Sequence, residues 1–382
     1  MNDRSVPPRI RILFVDDESR LLDGIVRMLR PMRATWDVRT AIDGQTALAM
    51  LEAEPFDLIV SDMRMPGMSG AQLLKEVASR HPQVVRYILT GQADRASLMQ
   101  AIETTHRFLA KPCDAEALRH DIERSLRLRS LLRSQDLARE IGRIGALPTL
   151  PELYVAICSE LSSPNPSMSE IARIVERDIG LTAKVMQLAN AAGFCGTVRV
   201  VAPVDAVSRL GLDIIRSLVL AEHVFGSCTA IDWQSERWWS HSMAIAHAAR
   251  AIARCEQANH DLSVSCFTAG LLHDCGHLLM PRDDAGEAID AGSMHAEIGA
   301  YLLGLWGLPD AVVETVAWHH APGQGGATAF NPLMAVHVAQ HLVVPAQSED
   351  PTTLDAEWLT ACGMHGRIEA WRAAVAEDAA SA

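Results

Sequence analysis

Residues 57–70 read DLIVSDMRMPGMSG, and residues 10–18 read IRILFVDDE. Each is a short apolar run that stops on acid: Asp62 in the first, Asp16 and Asp17 in the second. Such runs, bounded by polar turns, are the pattern of strands buried on both faces. Outward from them, the first ~120 residues alternate between two periodicities. Strands are predicted at Ile10–Val15, Trp36–Ala41, Asp57–Ser61, Val85–Leu89 and Arg107–Ala110. Helices are predicted near 19–30, 44–53, 69–80 and 94–104, with a fifth after Asp114; Pro31 and Pro82 stand at the ends of two. Five βα units imply an α/β domain, doubly wound on a five-stranded parallel sheet. Ligands of such sheets gather beyond the carboxyl ends of the strands. With the order 2-1-3-4-5, the first and third strands are neighbours, so Asp16, Asp17 and Asp62 converge. Converged carboxylates repel without a cation, and their hard oxygens suit Mg²⁺. Thr90 and Lys111, after the fourth and fifth strands, bring a hydroxyl and an ammonium to the same place. Together these groups can stabilise a phosphoryl group moving onto a carboxylate.

Residues 10–125 closely resemble the receiver domain of bacterial two-component response regulators. The resemblance rests on the Asp-Asp of FVDDE, Asp62 within DMRMPGMSG, Thr90 in LTG, and Lys111-Pro112. It implies a flavodoxin-like receiver domain in which Asp62 accepts a phosphoryl group from a sensor histidine kinase. It also implies that Asp16, Asp17, Asp62 and the Arg64 backbone carbonyl hold Mg²⁺. Lys111 would contact the phosphoryl group, and Thr90 and Phe108 would be the switch positions.

The rest of the chain reads as helix. From about 115 to 145 one helical pattern continues, with Leu118, Ile122 and Leu126 spaced by four and arginines dense on the other positions. This is a linker helix with a solvated basic face, and a second copy could pair along it. From 147 onward prolines punctuate helical spacing, and no strand is evident. The domain boundaries expected are a receiver at 8–125, a helical linker at 126–145, an all-α domain at 146–345, and a helical extension at 346–382 ending in a frayed AEDAASA tail.

Ten of the 15 histidines fall between 241 and 341, and His273-Asp274 within GLLHDCGH is the sharpest feature among them. Imidazole with carboxylate is a borderline ligand set for Fe, Mn or Zn. The series His241, His273-Asp274, His295 and His319-His320 resembles the HD superfamily of metal-dependent phosphohydrolases, which implies a metal site drawn from several helices. Three departures argue against catalysis. Gln340 stands about where HD enzymes place a closing Asp, His277 replaces the usual lysine, and APGQGG follows His320 in place of the GYP signature of cyclic-di-GMP phosphodiesterases. LPTLPEL at 147–153, SEIARIVERDIGLTAKVMQLANAAGF at 169–194 and VDAVSRLGLDIIRSLVLA at 204–221 resemble the HDOD (HD-related output) domain over about 145–345. That resemblance implies a signalling module acting mainly through an unidentified protein partner. The alternative is a phosphorylation-regulated, metal-dependent phosphohydrolase at the His241/His273/Asp274 site, with a cyclic dinucleotide as a candidate substrate.

Composition narrows the classes further. Hydrophobic residues make up 49% and charged residues 21% of 382, enough apolar chain for two or three packed domains and too much for disorder. A net charge of −13 argues against a general nucleic-acid binder. Segment 169–192 mimics a helix-turn-helix, with a break at Gly180, but Glu170, Glu176 and Asp178 offset its few cations. No export signal or membrane span is evident, and the eight cysteines form no CxxC pair, so a reducing cytoplasm is expected. Cys275 is read as a small buried hydrophobe beside the His-Asp pair, and Trp233, Trp238 and Trp239 as helix-packing residues.

Overall fold

The computed structural model describes residues 9–90, 104–111, 115–129, 165–190, 199–212, 233–280, 294–326, 328–343 and 353–381, with a few single residues between. The chain divides into two compact units near residue 145.

The first unit is the expected doubly wound sheet. Strands β1 (Ile10–Val15), β2 (Trp36–Ala41), β3 (Leu58–Asp62), β4 (Val85–Thr90) and β5 (Arg107–Ala110) pair in parallel in the order β2-β1-β3-β4-β5. Ile12, Leu13 and Phe14 of β1 and Leu58, Ile59 and Val60 of β3 are fully buried, as both faces of a covered parallel sheet require. Around them run α1 (Ser19–Met28), α2 (Gly44–Ala53), α3 (Gly70–Arg80) and α4 (Ala115–Arg129). Local chemistry sets their starts. Asp43 accepts from the Thr46 N–H at the head of α2, and Ser69 with Gln72 forms a capping box at α3. The apolar spacing in α4 buries Leu118 and Ile122. A polar network ties the same helix to the sheet: Arg107 pairs with Asp121 at 2.6 Å, and Tyr87 donates to the Asp121 carbonyl.

Among its described residues the second unit has helices and no strand: α5 (Met168–Val175), α6 (Ile179–Ala189), α7 (Pro203–Leu210), α8 (Trp233–Cys255), α9 (His260–Leu272), α10 (Met294–Leu305), α11 (Asp310–Trp318), α12 (Pro332–Val343), α13 (Ala356–Ala361) and α14 (Ile368–Ser381). The long α8 packs against α9, α12 and α14. A Cβ placed on Gly270 of α9 would come 2.8 Å from the Ala246 Cα, so only glycine admits that close approach to α8.

Two expectations are corrected. The break between α5 and α6 lies at Glu176–Asp178, because the Asp178 carboxylate caps α6 through the Leu181 N–H, and Gly180 is helical. Every residue of α6 is buried, so it has no face to offer a DNA groove. The C-terminal residues are not a frayed tail: α14 runs to Ser381, anchored by a fully buried Trp371. Most of the helix expected near 94–104, Pro112, the linker beyond Arg129 (save Ile141), the LPTLPEL motif, most of 211–221, and the Trp233, Trp238 and Trp239 side chains lie outside the described residues. Among the described residues, no helix is long and apolar enough to cross a membrane.

Candidate functional site

The β1–β3 register sets Val15 opposite Ser61, which carries Asp16 and Asp62 to one end of the sheet. Both are buried, Asp16 at 2% and Asp62 at 9% exposure. The Lys111 ammonium lies between them, 2.6 Å from Asp16 Oδ2 and in contact with Asp62 Oδ1. Burial pulls the Lys111 pKa down, and its hydrogen bonds to the two carboxylates more than reverse this, leaving the ammonium firmly charged. The backbone positions the acids: Glu18 N–H donates to Asp16 Oδ1 and Arg64 N–H to Asp62 Oδ2. Arg64 thus meets Asp62 through its amide. Asp17 is exposed at the mouth. Thr90 is buried at the end of β4, and its carbonyl accepts from the Lys111 N–H. Phe108 is buried on β5. Gly70 was not singled out from sequence. A Cβ there would come 2.0 Å from the Asp62 carbonyl oxygen, so α3 can start against the acidic strand end only from a glycine. The oxygen donors fit a hard divalent cation.

In the second unit, all six expected residues come together. His241 projects from α8, and His273-Asp274 follow α9. His295 lies in α10, and His319-His320 end α11. The Asp274 carboxylate is the hub. Its Oδ2 lies 3.2 Å from His273 Nε2 and 3.5 Å from His241 Nε2. Its Oδ1 lies 3.5 Å from both His295 Nε2 and His319 Nε2. His320 Nε2 sits 3.0 Å from His295 Nε2. Two groups of ligand atoms result, His241/His273/Asp274 and Asp274/His295/His319/His320, sharing the carboxylate.

Tautomers follow from the partners. His273 Nδ1 faces the Gly270 carbonyl at 2.7 Å and His319 Nδ1 the Val316 carbonyl at 2.9 Å, so each must carry its proton there. Each Nε2 then faces the Asp274 carboxylate, at 3.2 Å for His273 and 3.5 Å for His319. His273 Nε2, on a fully buried residue, has no hydrogen-bond partner. Burial holds the His319 imidazole well below its ordinary pKa, against the pull of Asp274, so at neutral pH no proton fills that gap. Burial alone would raise the Asp274 carboxyl; His273, His319 and His295 reverse this and hold it well below the usual range. Imidazole nitrogens gathered around an ionised carboxylate are the donor set of a metal ion, and the residues fit one.

Around this set, His277 stacks on His295 with ring centroids 3.9 Å apart. Gln340 is buried, with its Oε1 unpartnered. Cys275 is buried, its thiol pushed far up by burial, and it packs where Gly299 leaves room. It belongs to neither ligand group and behaves as the small hydrophobe expected. Gly276 escaped notice in the sequence. A Cβ there would come 2.0 Å from the His295 carbonyl oxygen, so this glycine lets α10 close on the His-Asp pair.

A receiver sheet with its acidic end and an all-helical domain with an assembled His-Asp centre define a regulator of two-component type. Family models match the response regulator receiver domain over residues 12–123, the HDOD domain over 147–290 and the HD domain over 238–357. The chain belongs to the response regulators, with an output region of the HDOD and HD type. Chemotaxis protein CheY of Pseudomonas aeruginosa is 35% identical over 120 residues, which are 30% of this chain and 94% of that protein. An uncharacterized protein of Treponema pallidum is 24% identical over 197 residues, 47% of this chain and 38% of that one. The solved signal receiver domain of an HD domain-containing protein from Pseudomonas fluorescens Pf-5 is 31% identical, covering 30% of this chain and 96% of that domain, with a TM-score of 0.29. This chain spans 38%, 27% and 21% of three of its full-length curated relatives.

Proposed function

We propose that the chain is a phosphorelay response regulator in which Asp62 takes a phosphoryl group from a sensor histidine kinase. The observation that carries this reading is the Lys111 ammonium held between Asp16 and Asp62. A carboxylate oxygen of Asp62 bonds to phosphorus as the P–N bond of the kinase phosphohistidine breaks and the imidazole leaves. Lys111 is placed to neutralise charge on the phosphoryl oxygens. Mg²⁺ falls to Asp16, Asp17, Asp62 and the Arg64 carbonyl. Thr90 and Phe108 relay the change, and α4 leads toward the linker at 126–145, along which two copies could pair.

The output domain, in this reading, holds a divalent transition metal (Fe, Mn or Zn) on Asp274 with His241, His273, His295, His319 and His320, and acts mainly by contact with a protein partner. A bound ion supplies a Lewis acid at that point. The unpartnered His273 Nε2 facing Asp274 supports this assignment. A second reading, metal-dependent hydrolysis of a phosphoester, is favoured by the division of Asp274 between two imidazole sets, as in a carboxylate shared by two ions. The neutral Gln340 weighs against it.

The test is phosphorylation of the full chain by acetyl phosphate with Mg²⁺, beside Asp62→Asn. Base-labile, hydroxylamine-sensitive phosphate in the wild type, absent from the variant, is expected. Equal labelling of both would overturn the assignment of Asp62. Turnover of phosphodiesters, lost in His273→Ala, would favour the second reading.

A further inference from the structure

The C-terminal segment 353–381 is fastened at both ends to elements that carry the His-Asp centre. At its far end, Glu256 Oε1 accepts from Arg367 Nε at 2.8 Å and from Trp371 Nε1 at 2.7 Å, and Glu256 immediately follows α8, the helix of His241. At its near end an imidazole makes a link. His337 of α12 is fully buried. Its Nδ1 lies 2.8 Å from the His319 carbonyl, and its Nε2 lies 3.0 Å from the Asp355 N–H. A carbonyl only accepts and a backbone N–H only donates, so the ring has one consistent state: proton on Nδ1, lone pair on Nε2. Asp355 is held in turn, its carboxylate capping α13 through the Trp358 N–H, with the Trp358 indole set edge-on to the His337 ring.

His319 is thus fixed from two sides. Its ring is oriented by the Val316 carbonyl, and its own carbonyl by His337. The same turn carries His320.

We propose that His337 is a positioning residue, a strut by which the segment beginning at Asp355 fixes the His319–His320 turn and so sets the affinity of the metal centre. This rests on the metal reading above. Partners one bond removed from a ligand typically alter metal affinity 10- to 100-fold. Coupling is reciprocal, so a metal bound at Asp274 must also hold the segment more tightly.

The experiment compares Asp355→Pro with Asp355→Ala in the full chain. The Asp355 φ of −77° accommodates proline. Both variants lose the side-chain cap, and only the proline loses the N–H donated to His337. Zn²⁺ affinity is measured by chelator competition, with melting of the metal-free proteins as the stability control. About tenfold weaker Zn²⁺ binding in Asp355→Pro than in Asp355→Ala is expected. In the wild type, Zn²⁺ should slow amide exchange at Asp355. His337→Gln, which keeps a donor and an acceptor, should retain affinity that His337→Leu loses; this pair decides the matter if the proline variant does not fold. Equal affinities within both pairs would overturn the strut while leaving the metal site standing. No Zn²⁺ binding by the wild type would overturn the metal reading and the strut with it.

Discussion

Replacing Asp274 with Asn should have opposite consequences with and without metal. In the metal-free protein, the His319 Nε2 lone pair faces a carboxylate oxygen at 3.5 Å. An acceptor faces an acceptor. An Asn at this position offers an N–H₂, which can donate to it. A satisfied buried hydrogen bond contributes about 1 kcal/mol. The variant in chelator should therefore be as stable as the wild type or more so, by about 1 kcal/mol. For a domain of roughly 150–250 residues that is a Tm rise of about 2–4 °C. With Zn²⁺ at 100 times its Kd the wild type gains about 2.7 kcal/mol, and the variant, stripped of the shared ligand, gains almost none. Scanning calorimetry at pH 7 in chelator and in Zn²⁺ separates the cases, read on the output-domain transition. A variant that loses 3 kcal/mol or more in chelator would refute the reasoning. That loss is the mark of a buried ion pair broken by removing one partner, with Asp274 already balanced by a protonated imidazole.

Other consequences can be checked singly. Gly276→Ala should cost about 1–3 kcal/mol in urea denaturation and weaken metal binding, since its Cβ meets the His295 backbone, while Gly366→Ala, with open space around it, should stay within about 0.5 kcal/mol. Burial raises the Glu176 carboxyl above its usual pKa, with Arg250 opposing, so the folded state holds that proton more tightly than the unfolded chain. Its contribution therefore turns unfavourable as pH rises through the folded pKa, and Glu176→Gln should raise the Tm at pH 7 by more than at pH 4. Phe108→Leu should leave acetyl phosphate labelling of Asp62 intact and abolish the labelling-dependent change in amide exchange of α4; an unchanged response would remove Phe108 from the relay.

The receiver was readable almost residue by residue because its signals are local. The strands are apolar runs between turns, and all five fall within a residue of their expected ends. The acids stand at strand ends, where the fold dictates a ligand. The six residues of the His-Asp centre were also readable, through spacing and resemblance. What escaped depends on contacts between residues far apart in the chain. Gly70 and Gly276 matter because of backbones that the sequence does not show approaching them. Glu256 meets Trp371 across 115 residues, so the terminal helix looked like a tail. His337 appeared as one more histidine on an apolar helix, and only its two backbone partners give it a role. The helix break was misplaced at Gly180 because a glycine is a conspicuous local signal, and the cap made by Asp178 outweighed it.

The central claim is that the histidines around Asp274 form a metal site within a response regulator. Elemental analysis of the full chain, purified without a His tag or added metal, beside His273→Ala, tests it most directly. The account predicts transition metal at about one to two ions per chain, from two ligand groups that share Asp274, and its loss in the variant. Metal at background in the wild type, or equal metal in both proteins, would contradict it.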